Sequence, residues 1–477
     1  MTTDRNIVSI AYLPVSLSSG KKRPLSEVDE GDATRSPAGR HNRRRLDDFS
    51  AGPEAGESST HLSYPPTNRV APPVPLQQPS TLLTFSYTPE RVLEFNDSAL
   101  RYYIDPPPKA NLKYGYERWI KRPEEKGRLD GLLRAVSKYR SRLDASGADG
   151  GAWLRDMSIV SWRGVMTKIL TSPYENRDGW DLNVMMIGGT MYFEEHLSEE
   201  KLVAKEDMTP QHRLFSYYGY SFESYCTSTV PNSREPVDKS SRHPFGWGGD
   251  VDTNVQWCNV VKTKLGSDRL IIGGEVDCVR DRFTGKTDSL VELKTSLLIR
   301  GPQDEAKFEK KLLKFYFQSF LLGVPEIVVG FRTPQGQVNT IQSFKTMQIP
   351  RLVRGKPGAW EPSLCLDWGH RFLHFLKENI ATCPDKSERS VWRAKFSPDT
   401  GVSVMLLDDE EVEEVEAGED RVGFIPSWYF DEAALSERPK SPVVEVDHAG
   451  AAEEHIQHST AKPPTPPVTN VPSGWQI

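Results

Sequence analysis

The chain of 477 residues carries 60 Lys and Arg against 66 Asp and Glu, a formal net charge of −6. That balance excludes a globally basic nucleic-acid binder, so any basic groove has to be local. No apolar run approaches the roughly 20 residues that span a bilayer, no signal-peptide core opens the chain, and five scattered cysteines lack C-x-x-C spacing. The expectation is a soluble intracellular protein with no membrane partner, no disulfide framework and no cysteine zinc site.

Residues 1–80 read as a disordered tail, because Ser, Pro, Gly and charge dominate from Ser18 to Gln78 without apolar periodicity. Two basic clusters lie in it, Lys21-Lys22-Arg23-Pro24 and Arg40-His41-Asn42-Arg43-Arg44-Arg45. They fit a nuclear import signal or an RNA-contacting tail, with a solvated charge run as the alternative. The folded body is expected over 81–431. Within it, Gly127 to Tyr139 has helical apolar spacing at Leu129, Leu132, Leu133 and Val136. Val165 to Leu170 and Asn183 to Tyr192 read as extended, and Phe215 to Cys226 as the continuation of a helix. Phe308 to Leu322 is a helix bounded by Gly323 and Pro325, followed by a short buried strand, Glu326 to Arg332. Trp368 to Ala381 is a further amphipathic helix, and residues 432–477, rich in Pro, Glu, His and Thr, form a second disordered tail. The mixture indicates an α/β fold, a mixed β-sheet core flanked by helices.

Two stretches carry the chemistry: Gly274-Glu275-Val276-Asp277-Cys278 and Val291-Glu292-Leu293-Lys294-Thr295. Alternation along a strand places Glu275 with Asp277 on one face, and Glu292 with Lys294. The linker Arg280 to Asp288, with a Thr284-Gly285-Lys286 turn, suits a hairpin that sets the two strands side by side. Three carboxylates and an ammonium would then meet on an inner face, where unpaired charge is costly and a divalent cation resolves the conflict. E-x-D followed by E-x-K is the spacing of a PD-(D/E)xK-like nuclease centre. A solvent-exposed charged face remains the competing reading on spacing alone. The apolar flanks Leu270-Ile271-Ile272 and Leu297-Leu298-Ile299 speak for strands covered on both sides.

With its surroundings added, the chain resembles the DXO-type decapping nuclease family, which includes a fungal nuclear member that accompanies a 5′→3′ exoribonuclease. The resemblance runs from about Phe85 to Val353. It rests on Ala99-Leu100-Arg101-Tyr102-Tyr103, Trp162-Arg163-Gly164, Gly219-Tyr220-Ser221-Phe222-Glu223, Glu275-Val276-Asp277, Glu292-Leu293-Lys294 and Gln318-Ser319-Phe320-Leu321, in that order. It implies that Glu223, Glu275, Asp277 and Glu292, with the Leu293 carbonyl, bind metal. Oxygen-only ligation suits Mg²⁺ or Mn²⁺, two ions in such a centre. Lys294 would orient the attacking water or offset charge in the transition state. Arg163, in its Trp162-Arg163-Gly164 motif, and Gln318 would contact substrate phosphate, and Arg91 and Cys258 occupy substrate-contacting positions. One departure is Gly127 before Arg128, where the family often has an acid. His196, His212 and His243 have no mutual metal-ligand spacing and read as surface or structural.

The implied reaction is hydrolysis at defective RNA 5′ ends: pyrophosphate release from 5′-triphosphate RNA, decapping of incompletely methylated caps, and removal of NAD caps. The implied setting is the nucleus, with a 5′→3′ exoribonuclease as the partner that is stabilised and stimulated. The alternatives are a non-catalytic activator of that exoribonuclease, a cytoplasmic decapping exonuclease homologue, and a DNA repair nuclease of the same chemistry.

Overall fold

The computed structural model describes residues 60–67, 70–232 and 243–435. The basic clusters and most of both expected tails lie outside the described residues. In chain order come β1 (His61–Ser63), β2 (Ser80–Tyr87), β3 (Leu93–Glu94) and β4 (Tyr102–Tyr103). Helices α1 (Asp130–Ala145) and α2 (Gly150–Arg155) lead to β5 (Ile159–Trp162), α3 (Arg163–Thr171) and the hairpin β6 (Trp180–Ile187) with β7 (Thr190–Glu195). Then α4 (Glu199–Glu206) and α5 (Pro210–Cys226) run into β8 (Thr227–Ser228). A second hairpin, β9 (Gln256–Leu265) and β10 (Asp268–Glu275), precedes β11 (Cys278–Val279) and β12 (Leu290–Leu297). Next are α6 (Pro302–Phe320), β13 (Glu326–Arg332), β14 (Val338–Lys345), α7 (Ile349–Val353) and α8 (Pro362–Thr382). The described chain closes with β15 (Trp392–Ser397), β16 (Gly401–Leu406), α9 (Asp409–Glu416), the pair β17 (Arg421–Val422) and β18 (Ile425–Pro426), and α10 (Ser427–Leu435).

Two mixed sheets organise these elements. The larger has ten strands in the order β1-β16-β15-β6-β7-β5-β10-β9-β2-β3, and the smaller has six, β14-β13-β12-β11-β4-β8. Leu270, Ile271 and Ile272 of β10 are fully buried, and every residue of β13 is buried, as strands covered on both faces require. Helices α3, α6 and α8 pack together, with Met166, Ile169, Leu170, Phe317 and Phe372 in one apolar cluster that also takes in Leu270 and Ile272 of β10. No helix among the described residues is long and apolar enough to cross a membrane.

Three expectations need correcting. Val165 to Leu170 is helical, forming most of α3. Its β-branched content misleads, because burial decides here: Val165, Met166, Ile169 and Leu170 fall on one helical face against α6 and α8. Thr167 and Thr171 further settle the turn by donating to the carbonyls four residues back, at 2.9 Å each. Second, the Glu275 and Glu292 strands are not partners in a hairpin. β10 ends at Glu275 in the large sheet, and only the two-residue β11 pairs with β12, Cys278 opposite Val291 and Val279 opposite Leu290. The chain changes sheets across Val276–Asp277. Third, folded structure extends upstream of 81: β1 pairs with β16, and Leu76 is 2% exposed and bridged to Leu265.

Candidate metal centre and cavity

The seam between the sheets is where the charges meet. Glu275 is the last residue of β10, Asp277 lies in the crossover, and Glu292 and Lys294 alternate along β12. The fourth acid, Glu223, sits in the last turn of α5, which packs on β12. That close packing depends on Gly330 of β13, since a Cβ there would lie 2.5 Å from the Phe222 ring.

Hydrogen bonds fix the side chains. Lys294 Nζ donates to Glu292 Oε1 at 2.5 Å, and Arg163 Nη1 reaches both Glu292 oxygens at 3.1 and 3.2 Å. Glu292 is 1% exposed and therefore a buried anion held between two cations. Arg163 gets there because Gly274 carries no side chain: a Cβ at Gly274 would stand 3.0 Å from Arg163 Cβ and 2.9 Å from Leu322 Cδ1. The Leu293 N–H donates to Asp277 Oδ2 at 2.6 Å. In an extended strand the C=O of a residue points to the same edge as its N–H. The Leu293 carbonyl therefore faces the carboxylates, away from β13. Gln256 Nε2 donates to Glu275 Oε2 at 2.8 Å, and Arg91 Nη1 donates to Gln256 Oε1 at 2.7 Å.

The electrostatics are unbalanced. Burial, reinforced by Asp277 and Glu275, holds the Glu223 carboxyl well above the usual carboxylate range. Asp277 is pushed up to about 7 by burial and then by Glu292, and burial also raises Glu275 despite Arg163. Glu292 is the exception: burial pushes it up, yet Lys294 and Arg163 outweigh that and leave it below its ordinary value. Burial would lower Lys294, but Glu292 and Asp277 keep it above the ordinary lysine value, so it stays an ammonium. Three half-buried acids thus share a site whose two cations are already committed to a fourth. The carboxylates act on one another's charge, but no three of them bring ligand oxygens within 4.8 Å of one another; their oxygen-only chemistry fits a hard divalent cation that would draw them together on binding.

Glu223, Glu275 and Asp277 form the floor of a cavity of about 520 Å³. Its walls include Arg101, Trp119, Lys121, Arg122 and Tyr220 beside the acids Glu124, Glu125, Asp250 and Asp252; Lys121 is paired with Glu206 and Glu124, and Arg122 with Glu125. Gly127 lines it with Glu124 and Glu125, so acids stand just upstream of the departure noted at Gly127.

The other expected contacts are distributed differently. Trp162 donates its Nε1–H to the Arg128 carbonyl at 2.9 Å, an anchor for the start of α3, and Gly164 lies in the first turn of that helix. Arg91 lines a second cavity, its guanidinium 3.8 Å from the Tyr87 ring centroid, and touches the carboxylates only through Gln256. Cys258 is 3% exposed, opposite Glu275 in β9, with burial raising its thiol pKa. Gln318 is half-buried on α6, and the ammonium of Lys314 one turn away is paired with Glu175. Neither Cys258 nor Gln318 lines the carboxylate cavity, and of the metal-centre residues Arg163, Glu292, Leu293 and Lys294 do not line it either. The wall residues Trp119, Lys121 and Arg122 escaped the sequence reading. Their signal was the aromatic-then-basic run Trp119-Ile120-Lys121-Arg122.

A family model described as RAI1 like PD-(D/E)XK nuclease matches residues 77–430. "Decapping nuclease RAI1" of Mycosarcoma maydis is 37% identical over 444 residues, covering 74% of this chain and 87% of that protein. The human "Decapping and exoribonuclease protein" is 35% identical over 376 residues, covering 77% of this chain and 88% of that protein. Among solved structures, Scheffersomyces stipitis Rai1 in complex with (3′-NADP)⁺ and calcium ion aligns with a TM-score of 0.66 at 25% identity, over 79% of this chain and 99% of that one.

Proposed function

This chain belongs to the RAI1-like PD-(D/E)XK nuclease family, and from that membership we propose that it is a hydrolase of RNA 5′ ends. Its substrates are 5′-triphosphate RNA, from which it removes pyrophosphate, and incompletely methylated caps, which it releases; NAD caps are a third class open to the same attack. The observation that carries the reading is the group of under-compensated acids lining a cavity whose wall also carries Arg101, Lys121, Arg122 and the aromatic rings of Trp119 and Tyr220.

Glu223, Glu275, Asp277 and the Leu293 carbonyl would hold the divalent cation, with Glu292 sharing in the shell from its place between Arg163 and Lys294. When bound, the ion supplies Lewis-acid polarisation of the phosphoryl oxygen and eases deprotonation of water. The protein does the rest by positioning. Lys121 and Arg122 would exchange their carboxylate partners Glu206, Glu124 and Glu125 for incoming phosphates, with Arg101 beside them, and Trp119 and Tyr220 offer faces for the first base or the cap. Lys294, anchored on Glu292, presents an ammonium that orients the attacking water and offsets charge growing on phosphorus. Arg163 stays behind Glu292 and keeps that carboxylate ionised. Water attacks, the P–O bond to pyrophosphate or cap breaks, and the phosphorylated RNA end departs. One chemistry serves all three substrates because each reaction is hydrolysis at a phosphorus near the first nucleotide.

The test presents triphosphate, unmethylated-cap, methylated-cap, NAD-cap and monophosphate RNAs with Mg²⁺ or Mn²⁺ and identifies the released product. Pyrophosphate and unmethylated cap dinucleotide are expected, and Glu275→Ala with Asp277→Ala abolishes both. Turnover by that double variant refutes the reading. Nuclear location and a 5′→3′ exoribonuclease partner complete the proposal, supported by the basic clusters and by the family resemblance. Deleting residues 18–46 should then reduce nuclear accumulation without changing catalysis, and the exoribonuclease should co-purify and survive heating longer in the complex. Unchanged localisation removes the first of these, and failure of the purified pair to associate removes the second.

A further inference from the structure

At the opposite end of β10 from Glu275 lies a cluster with different chemistry. His370 and His374, one turn apart on α8, share a helix face, and their Nε2 atoms stand 3.1 Å from each other. Asp268, the first residue of β10, completes the group: one carboxylate oxygen and the two imidazole nitrogens all lie within 4.8 Å of one another. Among the described residues it is the one group of three or more His, Cys, Asp or Glu with this spacing.

Two further observations single it out. Asp268 is 2% exposed, and while Lys377 pairs with its Oδ1, its Oδ2 is buried without a hydrogen-bond partner. A buried carboxylate oxygen with no donor costs free energy that a bound cation would recover. Asp367, one turn before His370 on α8, is 3% exposed and also has an unpartnered buried oxygen, and its charge acts on His370. Moreover, the hairpin turn presses on the imidazole. A Cβ at Gly266, which has φ +58°, would lie 2.6 Å from His370 Cδ2, so the turn confines the ring. Two imidazole nitrogens bound to one tetrahedral Zn²⁺ at about 2.0–2.1 Å stand roughly 3.3 Å apart, close to the spacing found here.

We propose that Asp268, His370 and His374 form a transition-metal site of Zn²⁺ type that staples α8 to the β9–β10 hairpin. Mixed imidazole and carboxylate donors select Zn²⁺ and its neighbours over Mg²⁺ or Mn²⁺, so the site is distinct in metal from the all-oxygen centre. It is distant as well, because the eight residues of β10 place Asp268 and Glu275 about 24 Å apart along an extended strand. The staple fixes the N-terminal end of the strand whose C-terminal residue is Glu275.

The test uses the full chain with Mg²⁺ in excess. Zn²⁺ is titrated calorimetrically, and Co²⁺ is added as a visible-absorbing probe. One equivalent of Zn²⁺ is expected, with a Co²⁺ absorption band of tetrahedral type. His374→Gln, at an exposed ring, should weaken Zn²⁺ binding at least tenfold and remove the band. Glu223→Gln should leave both unchanged, since it belongs to the other centre. Lys377→Met removes the cation that competes for Asp268 and should tighten Zn²⁺ about threefold, a gain that misfolding does not imitate. No Zn²⁺ uptake at micromolar free ion, or equal affinity in the wild type, His374→Gln and Lys377→Met, overturns the proposal.

Discussion

Replacing Asp277 by Asn should make the metal-free protein more stable and the enzyme inactive. Asn keeps the shape and can still accept the Leu293 N–H that Asp277 accepts at 2.6 Å. What it removes is a charge whose protonation is pushed from 3.8 to about 7 by burial and by Glu292. At about 1.4 kcal/mol per unit, that shift corresponds to roughly 4 kcal/mol of strain in the ionised form. Solvent screening in the open cavity reduces this to about 2 kcal/mol. The sign follows from linkage. The folded-state value lies above the unfolded one, so the stability tied to the protonated carboxyl is complete below about 4, where both states hold the proton, and is lost as pH rises through about 7. The gain of the Asn variant is therefore largest near pH 8 and vanishes near pH 4. For a folded body of about 350 residues, 2 kcal/mol shifts Tm by about 3 °C. Thermal melts in chelator at pH 8 and pH 5, repeated with Mn²⁺, measure it. The wild type gains stability from Mn²⁺ and the variant does not. An Asn variant that melts lower in chelator at pH 8, or that keeps the Mn²⁺ increment, refutes the reasoning.

Lys294→Met should lower kcat by about 10²–10³ while Mn²⁺ still raises Tm, because it removes the ammonium proposed to orient the attacking water and leaves Glu292 paired with Arg163; single-turnover kinetics beside melts separate the two. Gly274→Ala should cost about 1–3 kcal/mol and reduce activity, since its Cβ would displace Arg163 from Glu292; denaturant unfolding reads the loss, and wild-type stability with full activity contradicts it. Glu326, held down at about 2 by Arg280, Ser343 and Lys345 against the effect of burial, supplies stability that is complete above 4.5 and lost as pH falls through about 2. Glu326→Gln should accordingly flatten the Tm-against-pH curve between pH 5 and 2, and parallel curves for the two proteins would exclude that role.

Much of this centre was legible from residues alone, because it is built from alternation and local charge. Glu292 and Lys294 share a strand and meet through their i, i+2 spacing. Glu275 and Asp277 arrive by another route, since β10 stops at Glu275 and the chain passes to the second sheet. Their convergence is a property of tertiary structure that happens to agree with alternation. Glu223 had no local signal and entered only through the family resemblance. The helix α3 was misread because Val165-Met166-Thr167-Lys168-Ile169-Leu170 suits either period over six residues, and only packing against α6 and α8 decides it. The early boundary was missed because β1 and Leu76 take their order from partners more than 180 residues away, which composition does not register. The His370–His374 pair was legible as H-x-x-x-H in a helix, but its third member, Asp268, comes from a strand about 100 residues earlier.

Anomalous diffraction from crystals of the full chain soaked in Mn²⁺ addresses the central claim directly. The account predicts a peak within coordination distance of Glu223, Glu275 and Asp277, on the side of β12 where the Leu293 carbonyl points. Those carboxylates found without Mn²⁺, with the ion bound elsewhere, would contradict it.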